Sequence, residues 1–439
     1  MQSVAEYLKK KEKYFMAQAR HQLYKEPLIV EKGYMEYLYD IEGKEYLDCF
    51  SGIMVTNCGH CNPEINKKAK EQLDKLQHTS TFFLTRPLLD LSEKLAEITP
   101  FGLERSFFVN SGSEAVDSAI LLARKYTGNE LVIPVKLGYH GRTLLVSSCT
   151  TSSTYNGLDP AIDELDILFG YNGYCYRCHF GLEYPDCNLR CVQALEEAIE
   201  KMNSKIAAIL VEPIQGVGGV IVHPPGYLEA LQAIAHKYGG LLIIDEVQSG
   251  FGRTGAMFAT SEGKVSPDIL CMGKGIANGL PMGAYIATDK VGEAIDWPTF
   301  STFGGNPLCS AVALATIDYI VEHQLPARAK KSEALFKQGL TEIAKESRLV
   351  GEIRGKGLFL AMELVRDQES KEPATEETLE LLNECKINGL VVGKSGPFSN
   401  VVRVGPPLTI TEEQIATALE ILEKSLKAVE KRSASKHLA

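Results

Sequence analysis

The sequence predicts an α/β protein, with a mostly parallel sheet in a large domain and a smaller α+β lobe from both chain ends. Three observations carry this. Short, nearly continuous apolar runs recur at Ile206 to Val211, Leu241 to Ile244 and Ile269 to Met272. Such runs read as strands buried on both faces, the usual state of parallel strands. Each gives way to polar or glycine-rich sequence, and open α/β sheets keep their ligands at that edge. The length, 439 residues, allows two lobes around a large core. The expected division is an N-terminal segment 1–65 joining the small lobe, a large domain 66–325, and a C-terminal small domain 326–439.

Apolar residues at 45% and charged residues at 23% fit an ordinary globular α/β chain rather than a disordered or fibrous one. The net charge of −10 argues against nucleic acid or an anionic membrane as the main partner. No apolar run is long enough to cross a bilayer. Met1 to Arg20 is basic but carries Glu6 and Glu12 and has no hydrophobic centre. It reads as an amphipathic helix rather than a signal or transit peptide. Eleven cysteines in a chain this large point to a reducing cytoplasm with most thiols free.

The elements follow in order. Tyr37 to Asp40 and Glu45 to Asp48 alternate about Glu42-Gly43-Lys44, a hairpin signal. Helical spacing covers 63–75 and 84–98. Ser106 to Val109 reads as a strand, Asn110 to Ser113 as a tight turn, and 116–126 as a long helix. Ser111, Gly112 and Ser113 thus fall at a helix N-terminus, where free N–H groups and the helix dipole favour an anion. An ordinary serine cap is the alternative. Val132 to Val135 is a strand leading into Gly138-Tyr139-His140-Gly141-Arg142. A helix is expected over 310–323, with a boundary near Pro326. Gly355 to Leu364 reads as a turn and an edge strand, and Val401 to Leu408 as a strand closing on a turn. Thr411-Glu412-Glu413 caps a last helix, whose polar end, Lys427 to Ala439, is expected to fray.

The chemistry concentrates between Leu241 and Lys274. Asp245 ends one strand, Gln248 follows, and a glycine-rich loop leads to a second strand that runs into Gly273-Lys274-Gly275. An acid and a lysine at adjacent strand tips suit pyridoxal 5'-phosphate. That cofactor needs an amine to hold its aldehyde and an acid to keep its ring nitrogen protonated. The amine should be partly desolvated, because its neutral form is the nucleophile. Taken alone, the pair also fits a salt bridge between loops.

The longer context decides between these. Ile243-Ile244-Asp245-Glu246-Val247-Gln248-Ser249-Gly250-Phe251-Gly252-Arg253-Thr254-Gly255, then Gly273-Lys274-Gly275-Ile276-Ala277-Asn278-Gly279-Leu280-Pro281-Met282-Gly283-Ala284, closely resembles the class III pyridoxal-phosphate aminotransferases. The resemblance runs from about Tyr34 to Thr411. It implies a fold-type-I enzyme with a seven-stranded type of sheet, working as a homodimer or dimer of dimers. Lys274 would hold the cofactor and carry the proton. Asp245 would support the ring nitrogen and Gln248 would bond near the phenolic oxygen. Tyr139 would stack on the ring, Ser111, Gly112 and Ser113 would take the phosphate, and Glu212 would face the same crevice. Thr302, in Thr302-Phe303-Gly304-Gly305-Asn306-Pro307, would reach the phosphate of a partner subunit's cofactor.

At the substrate end, Arg403 lies in an apolar strand, where a charge is costly unless paired. The resemblance gives it the substrate carboxylate, through a two-pronged bond; a structural salt bridge is the alternative. Ornithine- and 4-aminobutyrate-type relatives usually carry a glutamate, paired with that arginine, where this chain has Val217. Together with Asn388 to Gly393 and Gly396-Pro397-Phe398, this leans toward alanine–glyoxylate or ω-amino acid chemistry with pyruvate, glyoxylate or 2-oxoglutarate. A 4-aminobutyrate/ornithine-type transferase, or a lyase or decarboxylase on the same fold, remains open.

Two cysteine groups stand apart. Cys58-Gly59-His60-Cys61 looks like a ligand set, but the resemblance places no metal there. Cys175, Cys178, Cys187 and Cys191 have the spacing C-x2-C-x8-C-x3-C. That spacing is open to zinc, to an iron–sulfur cluster or to a reduced packed loop. The expectation is no metal.

Overall fold

A computed structural model describes residues 3–151 and 166–437. At its centre lies a six-stranded sheet. Its order is Leu103–Val109, Gly283–Thr288, Ile269–Met272, Leu241–Asp245, Ile206–Val211 and Leu131–Pro134. The last four run parallel, and only Gly283–Thr288 is antiparallel to its neighbours. The seventh position is met only in part: Ile167 and Gly170 add parallel bridges to Val132 and Val135 at the edge.

Alternation along each strand builds two cores. Ala208, Leu210, Ile243 and Cys271 face Val116, Ala119, Ile120 and Ala123 of the helix Gly112–Thr127. Ile209, Val211, Leu242 and Ile244 face Leu195 and Ile199 of the helix Arg190–Met202 and Leu231 of the helix Tyr227–Lys237. All of these residues are buried. Each apolar side chain taken from water contributes roughly 1.5–3 kcal/mol, so register is fixed: a slip of one residue would exchange the two faces.

A second, four-stranded antiparallel sheet has the order Val350–Lys356, Phe359–Leu364, Val401–Val404 and Gly393–Ser395. Phe359–Leu364 was expected at an edge. It lies inside, buried at every residue, because strands flank it on both sides. N-terminal strands Val30–Tyr34, Tyr37–Asp40 and Glu45–Asp48 join the C-terminal part, where Leu47 and Asp48 pair in parallel with Leu390 and Val391. Pro326 stands in the first turn of the helix Leu325–Glu346, where its missing N–H costs nothing.

Thr411 caps the last helix, Glu412–His437, by exchanging bonds with Gln414. The expectation of a frayed tail falls at its extreme end on 438–439, outside the described residues. The first helix, Val4–Tyr14, carries a Ser3–Glu6 capping box. No helix among the described residues is long and apolar enough to cross a membrane.

Candidate active site

The parallel register sets the site. Asp245 lies level with Cys271, so Lys274 is three residues past that level and two past the tip of the neighbouring strand. Between and above these tips lies a cavity of about 330 Å³. Its lining includes Gly112, Ser113, Tyr139, Val247, Gln248 and Lys274, and, at the other end, Phe50, Val217, Lys394 and Arg403.

Lys274 opens a short 3-10 turn at φ +41°, a left-handed backbone that costs a non-glycine residue about 1–2 kcal/mol. Strain of this kind gathers where a side chain must be aimed. Burial lowers the pKa of its amine, while the nearby Asp245 and Glu212 carboxylates oppose that shift. The chain thus favours the neutral, nucleophilic amine.

Asp245 is 4% exposed. Its Oδ1 accepts the Val247 N–H at 3.0 Å, and its Oδ2 pairs with His140 Nδ1 at 2.8 Å. His140 is buried in the core, where it positions this carboxylate. Glu212 is anchored through Oε1 to Tyr139 N–H at 2.9 Å and Oε2 to Gly216 N–H at 3.0 Å, and burial pushes its pKa above the usual carboxylate range. Its contacts make it a brace for the Tyr139 and Gly216 turns.

Two glycines allow the close packing. A Cβ on Gly112 would lie 2.8 Å from Val247 Cγ1, and one on Gly216 would lie 1.6 Å from Gln248 Oε1. At the phosphate end, Ser111 Oγ caps the helix by accepting the Glu114 N–H at 3.2 Å, and Ser113 Oγ accepts the Arg142 N–H at 3.1 Å. Both serines hold the turn in shape, and Gly112 and Ser113 line the cavity while Ser111 stands behind.

The donor set fits pyridoxal phosphate. Lys274 would hold the aldehyde, Asp245 the ring nitrogen, and the helix N-terminus at Gly112 the phosphate. Among the described residues, the buried Gln248 Nε2 and His140 Nε2 on lining residues have no hydrogen-bond partner. Orphans of this kind are rare unless a ligand or water completes them.

The substrate end has a different origin. Ser51, Gly52, Ile53 and Met54 all have positive φ, between +50° and +68°. Asp48 Oδ1 holds this left-handed turn by accepting the N–H groups of Phe50 and Ser51 at 2.8 and 2.9 Å, while its Oδ2 pairs with His60 Nε2 at 2.7 Å. His60 is therefore engaged by a carboxylate, with Cys58 buried and Cys61 exposed on either side of it. The turn carries Phe50, whose ring packs on Gly393; a Cβ there would lie 2.1 Å away. The Arg403 guanidinium stands 5.5 Å from the same ring. Lys394, not singled out from sequence, joins this end. Only its place in the Gly393–Ser395 strand beside Arg403 gave a hint.

Thr302 is exposed and lies outside the lining of this chain's own cavity. Cys175, Cys178, Cys187 and Cys191 share one narrow cleft with His179. Among the described residues no three His, Cys, Asp or Glu side chains are placed to hold a metal. The loop instead stitches the lobes together. Tyr174 and Arg177 bond Glu363 of the second sheet, which also pairs with Arg354 at 2.7 Å.

Comparison with known proteins agrees with this geometry. The model of the family described as aminotransferase class-III matches residues 17–426. The alanine–glyoxylate aminotransferase 2 homolog 2 of Arabidopsis thaliana, a mitochondrial protein by its name, is 36% identical, covering 96% of this chain and 87% of its own. A leucine/methionine racemase of Thermococcus litoralis is 37% identical, over 92% of this chain and 91% of its own. The crystal structure of an (S)-enantioselective ω-transaminase from Thermomicrobium roseum superposes with a TM-score of 0.89 at 34% identity, covering 98% and 99% of the two chains. The acid and lysine at neighbouring strand tips thus have their explanation: this chain belongs to the class III aminotransferases, enzymes that use pyridoxal phosphate to move an amino group from a donor amine to a keto acid.

Proposed function

We propose that this enzyme takes its amino group from alanine or a β-alanine-like ω-amino acid and passes it to pyruvate, glyoxylate or 2-oxoglutarate. The observation that carries this is the pairing of Arg403 with Val217 across the substrate end of one cavity. A glutamate at Val217 would set a further carboxylate at this end of the cavity, whereas a valine adds no negative charge to compete with a substrate carboxylate. The name of the Arabidopsis relative points the same way.

The cofactor supplies an electron sink for the bond that breaks at the donor's α-carbon. The roles of the chain's residues follow from position. Lys274 Nζ would hold the cofactor and, when its amine is free, would serve as the base and acid for the proton at the donor's α-carbon. Asp245, oriented by His140, would keep the ring nitrogen protonated. Gln248 would offer its Nε2–H to the ring's phenolic oxygen. Tyr139 would cover the ring. The N-terminus of the helix Gly112–Thr127 and Ser113 receive the phosphate, with Ser111 holding the turn and Glu212 bracing Tyr139. Arg403 takes the carboxylate and sets which face of the donor meets Lys274.

The same reading divides the chain into segments 1–65 and 326–439 as one lobe and 66–325 as the other, and makes it a homodimer or dimer of dimers. Thr302 lies among exposed aromatics that need a cover: Phe82, Phe300 and Phe303 are 73%, 59% and 60% exposed. A second copy placed there would bring Thr302 to the partner's phosphate end. Eleven cysteines, all thiols, support a cytoplasmic site.

The racemase among the relatives favours a second reading, in which the same site inverts leucine or methionine. One experiment separates the two. Purified holoenzyme is given alanine, β-alanine, 4-aminobutyrate, ornithine and leucine, each with pyruvate, glyoxylate and 2-oxoglutarate. The account predicts amino transfer from alanine or β-alanine. Inversion of leucine without a keto acid, and no transfer, would establish the racemase instead.

A further inference from the structure

The substrate end of the cavity is cationic. The chain carries a net charge of −10, yet the cations of the cavity lining are Lys274, Lys394 and Arg403, and the nearby carboxylates of Asp245 and Glu212 belong to the cofactor end. Lys274 is committed to the cofactor and Arg403 to the substrate's α-carboxylate, which leaves one cation with no task in the proposed reaction.

Lys394 is placed for a specific task. It pairs with Val402 in the antiparallel register that also sets Gly393 opposite Arg403. It stands one residue along from the guanidinium's partner, and both Lys394 and Arg403 line the cavity. Its Nζ donates to Ser399 Oγ at 3.2 Å, a neutral tether that aims the amine without cancelling its charge. Among the described residues it forms no ion pair. Burial alone lowers its pKa, and no carboxylate opposes the shift. A half-buried ammonium without an acid is poorly placed for stability. It is well placed to gain from an anion that arrives with the substrate.

We infer that Lys394 is a specificity-determining residue that receives the distal carboxylate of a dicarboxylic substrate, a four- or five-carbon 2-keto diacid or its amino acid, while Arg403 holds the proximal one. This rests on the substrate reading above and refines it: among the acceptors, a diacid meets two cations and a monoacid only one.

The test uses the holoenzyme and its Lys394→Met and Lys394→Arg variants. Two quantities are read for each: the ratio of kcat/KM for 2-oxoglutarate to that for pyruvate, and the affinity for glutarate against butyrate by calorimetry. Lys394→Met should lower the acceptor ratio about tenfold, through KM rather than kcat, and weaken glutarate about tenfold. Lys394→Arg should restore most of both. Equal losses for the two acceptors, or no change in either ratio, would overturn the assignment and leave Lys394 a structural partner of Ser399. If the unaltered enzyme transfers to no keto acid, the substrate reading fails, and the glutarate titration still decides the role of Lys394.

Discussion

The two ends of the cavity are built on different principles. The cofactor end rests on the central sheet: Asp245, Lys274 and the Gly112 turn each sit at a strand tip or the helix just beyond it. Strand pairing fixes their spacing, and the buried His140–Asp245 contact locks the key carboxylate. The substrate end gathers three remote pieces: the left-handed turn at 51–54, Val217 after the Ile206–Val211 strand, and the Gly393–Val404 hairpin. A rigid platform keeps one reaction possible. A composite wall, drawn from separate segments, lets substrate choice change without disturbing that platform. The chemistry of an enzyme like this is held by register, and its preference by the meeting of loops.

The contrast can be broken most severely at its rigid end. Asp245→Asn replaces the anion that keeps the ring nitrogen protonated. It should cut kcat on the order of a thousandfold, equivalent to ~4 kcal/mol of barrier, while visible absorbance shows that cofactor is still held. A fall in KM alone, with kcat kept, would contradict the platform role. At the composite end the effect should be smaller and of another kind. Arg403→Ala should raise KM for keto acids about a hundredfold, the loss of two charge-assisted bonds, with kcat changed far less. An unchanged KM would remove Arg403 from the substrate site.

The difference also explains what the sequence could and could not reveal. Asp245, Gln248 and Lys274 follow buried strands directly, so a local apolar run and its polar end are enough to place them. The turn at Ser111 to Ser113 is as readable, since strand, tight turn and helix are all local signals. Arg403 stood out as a charge in an apolar strand. Lys394 did not, because a lysine on a short strand beside a turn looks like any solvated lysine until the fold brings it over the cavity. The left-handed run at 51–54 was equally hidden: only Gly52 among its four residues favours positive φ, and the Asp48–His60 pair that stabilises it is twelve residues apart in sequence. Phe359–Leu364 was read as an edge strand because its two flanking partners come from either side in sequence, one of them about forty residues on.

The last expected effect touches stability and not turnover. His223 lies under the cofactor end, stacked on Tyr227, with Nδ1 accepting the Gly173 N–H and Nε2 donating to the Glu212 carbonyl, both at 3.2 Å. Burial lowers its pKa from the usual 6.5 to about 4. Between those values the unfolded chain binds a proton that the folded chain refuses. Stability therefore falls as pH drops from about 6.5 toward 4, by up to roughly 3 kcal/mol from this group. Urea unfolding across that range should show the loss, and His223→Gln should flatten it. An equal slope in both proteins would clear His223 of the effect.

The central claim is that the amine of one residue, at the tip of Ile269–Met272, holds the cofactor. Holoenzyme is reduced with borohydride, digested and examined by mass spectrometry. The account predicts a single phosphopyridoxyl adduct, on Lys274, with the visible absorbance bleached, and no adduct in Lys274→Ala. An adduct on another lysine, or none in a protein that still transfers amino groups, would contradict it.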